Sequence, residues 1–307
     1  MNNIYKIIFG ICINLLSLYP ITSVRAAIFT ITSMSEELKQ AIKNKNIWNE
    51  KCPVGLERLR VIHFSYYDFN NQRHDDGTMI VLDAVAEHAV NIFKELYTLK
   101  FPIAKACTID KYNGDDEASM ADNNSTCFQF REITGGGLLS IHGYGLAIDI
   151  NPMQNPFITW QEPEVATHSS VKVMPGAGVE HLNRTNIRVG MVETPGIIAI
   201  FKKHGFKIWG GEWNKPIDLH HFQPSRATAQ LLAVMSPSDA KGFFKMYIKE
   251  CKLLNAIDYK DNQLILFYQK NPAQFMQLLK DQPSILAMEP HEAYLLIGKV
   301  IKLTKNA

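Results

Sequence analysis

The sequence predicts a fold that mixes helices and short strands up to residue 225 and is helical from residue 226 to residue 307. One helix is indicated over residues 82–97, where apolar side chains recur on one face: Val85, Ala89, Ile92, Phe93 and Leu96. Residues 101–109 then alternate enough to predict a strand. We therefore expect a mixed domain over 27–225 and a helical extension over 226–307.

The first half of the mixed domain begins with a charged amphipathic segment at 35–50, which predicts a short leading helix. The polar stretch at 110–126 predicts a long loop, and a loop of that length in a compact domain is usually functional or mobile. Gly135-Gly136-Gly137 lacks the Lys-Ser/Thr and the flanking elements of a phosphate-binding loop, so we interpret it as a flexible turn.

The second half contains shorter elements. Residues 147–150 predict a strand, and residues 151–190 predict a long irregular excursion rich in proline and glycine. Thr194-Pro195 is typical of an N-cap and first turn and predicts a helix at about 195–204. Trp209-Gly-Gly-Glu-Trp213 predicts a turn whose two indole rings pack structurally rather than line a substrate cleft.

The amino-terminal segment has the features of a secretory signal. Lys6 supplies a positive charge, residues 7–19 are almost wholly apolar, and Val24-Arg25-Ala26 fits a cleavage site. An uncleaved membrane anchor is the alternative, but the apolar run is short for a span of about 20 residues. We therefore expect a signal peptide at 1–26, export to the periplasm or the medium, and no stable membrane span after cleavage.

Net charge bears on the class of partner. The formal net charge is +2 at pH 7, and it includes Lys6 and Arg25 of the predicted signal. Without that segment the chain is close to neutral. The sequence therefore carries no basic footprint for nucleic acid, and we expect no nucleic-acid partner.

Cleavage of the signal would leave four cysteines: Cys52, Cys107, Cys127 and Cys251. In an oxidising compartment they allow three pairings, among which the sequence does not choose. We favour a disulfide between Cys107 and Cys127, because these two bracket the polar loop at 110–126. Buried free thiols are the alternative.

Two imidazoles and a carboxylate suggest a metal site. His142 and Asp149 are seven residues apart, and Gly145 between them permits a sharp path that aims both side chains inward. Asp149 follows apolar residues and, once buried, needs a cation or hydrogen-bond donors. With His221 these side chains form a usual ligand set for a catalytic zinc ion, which keeps its fourth position for water. Asp218, three residues before His221, would be a spare carboxylate beside the last ligand.

Each of these residues alone has a simpler interpretation. A histidine beside glycine is more often a hydrogen-bonded structural residue, and an aspartate before Asn-Pro is more often a turn former. We interpret His220 as a non-ligand, because adjacent strand residues face opposite ways and only one of His220 and His221 can point at the metal.

The motifs occur in a characteristic order: Ser140-x-His142-x-x-Gly145-x-Ala147-x-Asp149, then Trp209-Gly-Gly-Glu-Trp213, then Asp218-x-x-His221-Phe222. This order resembles the zinc D-Ala-D-Ala carboxypeptidase family, which also includes L-alanyl-D-glutamate endopeptidases and the dipeptidases of vancomycin resistance. The resemblance runs from about residue 52 to residue 223 and does not cover 226–307. It implies an α+β fold similar to that of the hedgehog signalling domain, with a small antiparallel sheet that carries the ligands and helices packed on it.

The resemblance also implies roles for individual residues. The zinc ligands are matched by three side chains: His142, Asp149 and His221. Asp218 matches the general base, which takes a proton from water and later returns it to the leaving amine. Arg131 matches an arginine that stabilises the carbonyl oxygen as it becomes negative, and Ser140 matches a residue near the substrate. Arg131 could instead pair with Glu132 or a loop aspartate, and Ser140 could instead be a cap or turn residue.

These observations predict an exported zinc peptidase that hydrolyses a peptide bond in the stem peptide of peptidoglycan. Family members that trim D-alanine usually have glutamate at the position of Asp218, so the aspartate favours the L-alanyl-D-glutamate endopeptidase type. A D-alanyl-D-alanine carboxypeptidase is the first alternative. A catalytically inactive, zinc-containing cell-wall-binding module is the second, and the intact Asp218 argues against it.

Overall fold

A computed structural model describes residues 26–161, 170–258 and 260–305. The predicted signal peptide lies outside the described residues except for Ala26. Within the described part, none of the helices combines the length and the apolar character that a membrane crossing requires.

The chain begins with an antiparallel sheet of three strands in the order β1 (Phe29–Ser33), β2 (Leu59–Tyr67) and β3 (Arg73–Leu82). Between the first two strands, α1 (Glu36–Asn44) confirms the predicted leading helix, and Ser35 Oγ caps it by accepting from the Leu38 N–H. No sequence prediction covers the β2–β3 hairpin.

The helix predicted at 82–97 is confirmed as α2 (Ala86–Thr98), which packs on β2. Phe93 of the helix stacks on Phe64 of the strand, with ring centroids 3.8 Å apart and an interplanar angle of 10°. Ile92 and Leu96 lie on the same buried face. The apolar stripe seen in the sequence is therefore the face that covers the sheet.

The strand predicted at 101–109 is wrong over most of its length. Only β4 (Lys105–Ala106) forms there, and it pairs in parallel with β5 (Asn124–Ser125). Polar side chains satisfy the neighbouring backbone instead, because the Ala104 and Cys107 N–H groups donate to the side-chain oxygens of Asn151 and Asn124. The polar stretch at 110–126 contains a helix, α3 (Asp116–Ala121), in addition to loop.

The strand predicted at 147–150 is confirmed as β6 (Ile148–Asp149). The excursion at 151–190 contains an antiparallel pair that was not predicted, β7 (Phe157–Gln161) and β8 (Ser170–Met174). The helix predicted at 195–204 is confirmed as α4 (Ile197–Lys203).

Three short strands complete this part of the chain: β9 (Ile208–Trp209), β10 (Ile217–Asp218) and β11 (His221–Gln223). β11 lies between β6 and β9 in one three-stranded sheet, and β10 pairs with β7 in another. Both sheets are antiparallel. Small antiparallel sheets combined with helices confirm the predicted α+β class.

The region after residue 225 is helical, as predicted. Its described helices are α5 (Arg226–Val234), α6 (Pro237–Lys249), α7 (Lys252–Ala256), α8 (Gln263–Lys270), α9 (Pro272–Asp281) and α10 (Pro290–Lys305). Ser225 and Ser236 cap the first two of these helices, and Pro237 occupies a first-turn position where its missing N–H costs nothing.

The helical extension is attached through a buried ion pair. Arg58 and Asp83, at the base of the β2–β3 hairpin, are joined by bonds of 2.8 and 3.0 Å. The same guanidinium donates to the carbonyl oxygen of Met235, 2.7 Å away, just after α5. One cluster of buried apolar side chains also continues from the hairpin into the extension. The extension therefore shares the core of the mixed domain.

The favoured disulfide between Cys107 and Cys127 is wrong, because the four cysteines of the described residues are free thiols. Cys127 is buried, whereas the Cys107 sulfur contacts the hydroxyl of Tyr112 at 3.9 Å. The loop between them is held by α3 and by the Asn124 side chain, which bonds to both the N–H and the carbonyl of Cys107. No covalent tether is needed to order it.

Candidate metal centre and catalytic cleft

The first predicted ligand, His142, stands on a single 3₁₀ turn at Ile141–Tyr144. Ser140 caps this turn, since its Oγ accepts from the His142 N–H at 3.3 Å. Gly145 ends the turn with a φ of +67°, and a Cβ there would lie 2.8 Å from the Leu82 backbone nitrogen. Only glycine combines this left-handed conformation with so close an approach, so the residue predicted to bend the chain does so.

The other two predicted ligands lie on neighbouring strands. Asp149 of β6 and His221 of β11 are direct partners in an antiparallel pair. Side chains of directly opposed residues project from the same face of a sheet. The strand register therefore brings together two residues that are 72 positions apart in the chain.

The three side chains converge, with candidate donor atoms that all lie within 4.8 Å of one another. His142 Nε2 is 3.1 Å from one oxygen of Asp149, and His221 Nδ1 is 3.0 Å from the other. All three residues are buried. Within residues 26–161, 170–258 and 260–305 this is the one such group of three potential metal ligands.

The hydrogen bonds behind the ligands test whether a cation fits. A carbonyl oxygen can only accept, so His142 Nδ1 donates to the carbonyl of Cys127, 2.5 Å away. His221 Nε2 likewise meets the amide oxygen of Gln223 at 2.7 Å. In the neutral form each ring turns its other nitrogen, with its lone pair, toward the Asp149 carboxylate; without a metal, protonation lets that nitrogen donate to the carboxylate instead. A bound cation would relieve this opposition of lone pairs and negative charge, as in other metal centres whose histidines are oriented from behind.

The electrostatics also suit a cation. Burial opposes the charge of Asp149, but the imidazoles of His142 and His220 and the hydrogen bonds from His142 and His221 outweigh it. The pKa of Asp149 is therefore held well below its usual range, and the group is an anionic donor at neutral pH. Burial likewise opposes protonation of His221, but the bond and charge of Asp149 raise its pKa above the usual value. The site therefore attracts either protons or a metal ion.

His220 lies outside the ligand group, as predicted, but the reason drawn from strand alternation is wrong. His220 precedes β11 rather than lying in it, so its ring is not forced away from the site. Its Nδ1 donates to the carbonyl of Asn155 at 2.8 Å, and its Nε2 lies 2.9 Å from Asp218 and 3.7 Å from Asp149. Burial opposes protonation, but these carboxylates raise the pKa of His220 to about 10. His220 is thus a cationic neighbour of both acids.

Asp218, the predicted general base, ends β10 beside the ligands. One of its oxygens is 4.0 Å from His221 Nδ1. The other is buried and receives no aligned hydrogen bond, although His220 is close. A Cβ at Gly210 would come within 2.5 Å of the Asp218 carbonyl, which explains why glycine follows Trp209 at this point. The tight turn allows the acid to lie against the metal site.

Arg131 and Ser140 fit both of their interpretations. Arg131 lines the cleft beside the ligands, and its Nη2 is bound to Asp116 of α3 at 2.8 Å, the loop-aspartate pairing given as its alternative. Its Nε is buried without a hydrogen-bond partner. Ser140 also lines the cleft while it caps the His142 turn.

The two tryptophans differ. Trp209 is structural, as predicted, since its Nε1 donates to the Leu219 carbonyl at 2.8 Å and its ring stacks over Phe222. The prediction for Trp213 is wrong, because its ring lies 5.4 Å from that of His221 and forms part of the cleft wall. A turn can present one indole to the core and the next to a cleft.

The cleft has a volume of about 260 Å³ and opens over the ligand cluster. One wall is an apolar group separate from the main core: Met120, Phe157 and Met174. Three lining residues were not singled out individually in the sequence: Asp116, Gln223 and Arg226. A residue on another element becomes a neighbour only through the tertiary fold.

An α+β fold with a buried His-Asp-His cluster and a further acid beside it in a cleft is typical of a metal-dependent hydrolase. Residues 134–224 match the family model described as D-alanyl-D-alanine carboxypeptidase. This match confirms the resemblance over residues 134–224 and supports a zinc-dependent peptidase. Neither the curated proteins nor the solved structures gave a significant match.

Proposed function

We propose that the protein is an exported zinc peptidase that hydrolyses a peptide bond in the peptidoglycan stem peptide, with the L-alanyl-D-glutamate bond favoured. The observation that carries the proposal is the convergence of His142, Asp149 and His221 beside Asp218, inside the segment that matches the family. Export rests on the signal-like sequence at 1–26.

The three ligands would hold zinc, which when bound polarises a carbonyl and lowers the pKa of water. Asp218 is the proton acceptor in this scheme. It takes a proton from the attacking water and returns it to the leaving nitrogen, which breaks the carbon–nitrogen bond without leaving a strong base behind. Its Oδ2 oxygen, 4.0 Å from His221 Nδ1, lies on the ligand side and suits that role.

Arg131 acts on the substrate carbonyl. Its guanidinium lines the cleft with the ligands, and the bond to Asp116 fixes its position before substrate arrives. A fixed donor aimed at the oxygen where negative charge develops stabilises the transition state more than the ground state. Ser140 contributes by setting the turn that carries His142 and by forming part of the wall.

Two cleavage sites remain to be distinguished. The aspartate at position 218 favours cleavage between L-alanine and D-glutamate. The description of the matched family favours removal of the terminal D-alanine instead. A binding module without activity is the less favoured alternative, because a site that only binds has no use for the acid at Asp218.

The test is incubation of the purified protein with muropeptides, with and without a chelator, followed by mass spectrometry. We expect chelator-sensitive cleavage between L-alanine and D-glutamate, whereas loss of a single alanine would identify the carboxypeptidase. Unchanged muropeptides, with Asp218→Ala identical to the parent, would contradict the proposal. The amino-terminal sequence of protein recovered from outside the cytoplasm should begin at Ala27.

A further inference from the structure

Two cationic residues of the cleft lie outside the matched segment, Arg131 before it and Arg226 after it. Arg226 is the first residue of α5, in the helical extension, and it lines the same cleft as the metal-ligand cluster. The family match ends at residue 224. The helical extension therefore contributes a cation to the cleft.

We propose that Arg226 is a specificity-determining residue that binds the α-carboxylate of the residue released from the scissile bond. This inference rests on the proposed peptidase function. It assigns to the helical extension a direct part in substrate selection.

A hydrogen bond to the segment that carries His142 fixes the position of the Arg226 guanidinium. Arg226 Nη1 donates to the carbonyl oxygen of Leu139, 2.6 Å away. Leu139 immediately precedes Ser140, the cap of the turn that carries His142. The bond therefore ties the cation to the element that positions a metal ligand, and the two keep a constant relation.

The backbone of Arg226 is supported from the other side. It follows Ser225, whose N–H donates to the Tyr247 hydroxyl at 3.3 Å and whose Oγ caps α5 through the Thr228 N–H. Ser225 is buried. Side chains on rigid, packed elements hold a substrate group more accurately than side chains on free loops.

The chain path also links Arg226 to the ligands. β11 carries His221 and Gln223, and Gln223 orients the His221 ring through the 2.7 Å bond. Arg226 follows three residues after Gln223 and lines the cleft beside it. One short connection thus presents a metal ligand, the residue that orients it, and a cation.

The division of charge in the cleft indicates what this cation binds. Among the described residues that line it, Arg131 and Arg226 carry permanent positive charge. Arg131 is assigned to the carbonyl oxygen of the scissile bond. A guanidinium recognises a carboxylate through paired, charge-assisted hydrogen bonds, so a substrate carboxylate is the group that suits Arg226.

Both candidate substrates offer that group at the same place. In a stem that ends in D-Ala-D-Ala, the released alanine carries the free terminal α-carboxylate. In the L-alanyl-D-glutamate bond, the glutamate continues the stem through its γ-carboxyl, so its α-carboxylate is also free. The shared chemistry is a carboxylate on the α-carbon of the released residue.

The test compares each substrate acid with its amide. One pair is a peptide ending in D-Ala-D-Ala and its carboxamide; the other contains L-alanyl-γ-D-glutamate or its α-amide. On the pair that the parent cleaves, we expect kcat/KM for the acid to exceed that for the amide by about tenfold to a hundredfold, mainly through KM. Arg226→Gln should bring the acid-to-amide ratio of kcat/KM close to one, and this ratio reports the preference even where the variant lowers both rates.

The controls separate selection from folding. Arg188→Gln removes an exposed arginine that does not line the cleft and should keep the parental preference. Arg226→Lys keeps the positive charge and should retain part of the preference for the acid. An acid-to-amide ratio near one in the parent, or an unchanged ratio in Arg226→Gln, would overturn the inference while leaving the peptidase intact. No cleavage of either pair by the parent would contradict the proposed function and this inference with it.

Discussion

Asp149 and His221 face each other as direct partners of two antiparallel strands, 3.0 Å apart at Oδ1 and Nδ1. A register shift of one residue would turn one of the two side chains to the other face of the sheet. The metal site therefore depends on the pairing of two very short strands, β6 and β11, rather than on a rigid helix. Backbone bonds from Thr126 to Asp149 on the other edge, at 2.9 and 3.1 Å, help to hold that register.

Asp218→Asn should separate proton transfer from metal binding. The amide keeps the size of the side chain but accepts no proton, so we expect kcat to fall by about 10²- to 10⁴-fold. Zinc content should remain at the parental level, because Asp218 lies outside the ligand cluster. The matched control is Asp258→Asn, an exposed acid in the extension. If Asp218→Asn lost zinc and activity to the same extent, Asp218 would be a zinc ligand and not the base.

Gln223→Ala should weaken zinc binding without removing a ligand. Its side-chain oxygen orients the His221 ring from behind, and loss of such a partner typically lowers metal affinity by about 10- to 100-fold. Competition with a fluorescent chelator measures the affinity. Gln277→Ala, an exposed residue of α9, should leave it unchanged. An unaltered affinity in Gln223→Ala would show that the 2.7 Å bond does not orient the ligand.

Gly145→Ala should destabilise the protein and disturb the site. The left-handed φ of +67° costs an alanine roughly 1–2 kcal/mol, and its Cβ would meet the Leu82 nitrogen at 2.8 Å. Chemical denaturation measures the decrease in the free energy of unfolding of Gly145→Ala. Gly242→Ala is the matched control, because it lies inside α6 and its Cβ would make an ordinary 3.6 Å contact with Met276. The free energy of unfolding of Gly242→Ala should rise by about 0.5–1 kcal/mol.

Glu95 should contribute stability that depends on pH. Burial opposes its charge, but hydrogen bonds from Lys203 and His204 outweigh it and lower the pKa of Glu95 from 4.5. A carboxyl whose pKa is lower in the folded state stabilises above its unfolded pKa, and this contribution is lost as the pH falls through the folded pKa. The ion pair joins α2 to the end of α4 and is partly exposed, so its contribution is within about 1 kcal/mol.

Thermal unfolding of the parent and Glu95→Gln therefore gives a Tm difference that is present at pH 6 and shrinks as the pH drops below about 4.5. Glu57→Gln, an exposed glutamate on another element, is the control. A Tm difference that grows as the pH falls would contradict the prediction that Glu95 stabilises the protein only in its ionised form.

The sequence was most informative where chemistry required unusual residues. The spacing of His142 and Asp149 around Gly145 predicted a convergence that the fold provides, because a buried carboxylate among apolar residues needs a partner. Strand alternation failed at His220, which precedes its strand. The strand predicted at 101–109 forms only at Lys105–Ala106, because asparagine side chains bind backbone N–H groups that a neighbouring strand would otherwise bind.

Other features could not be predicted because they arise from contacts between distant segments. Nothing local marks Arg226 as a cleft residue, since its place depends on how α5 packs beside the His142 turn. The Arg58–Asp83 pair that attaches the extension likewise joins residues whose neighbours in the chain are ordinary strand residues. The roles given to Asp218, Arg131 and Ser140 stay predictions until activity is measured.

The most direct test is a structure of the zinc-loaded protein, supported by X-ray absorption at the zinc edge. We expect one zinc per chain, bound by His142 Nε2, His221 Nδ1 and an oxygen of Asp149, with nitrogen distances of about 2.0–2.1 Å and one position open to solvent. Asp218 should lie beside that open position. Zinc bound by a fourth protein donor such as His220, or bound elsewhere in the chain, would contradict the account.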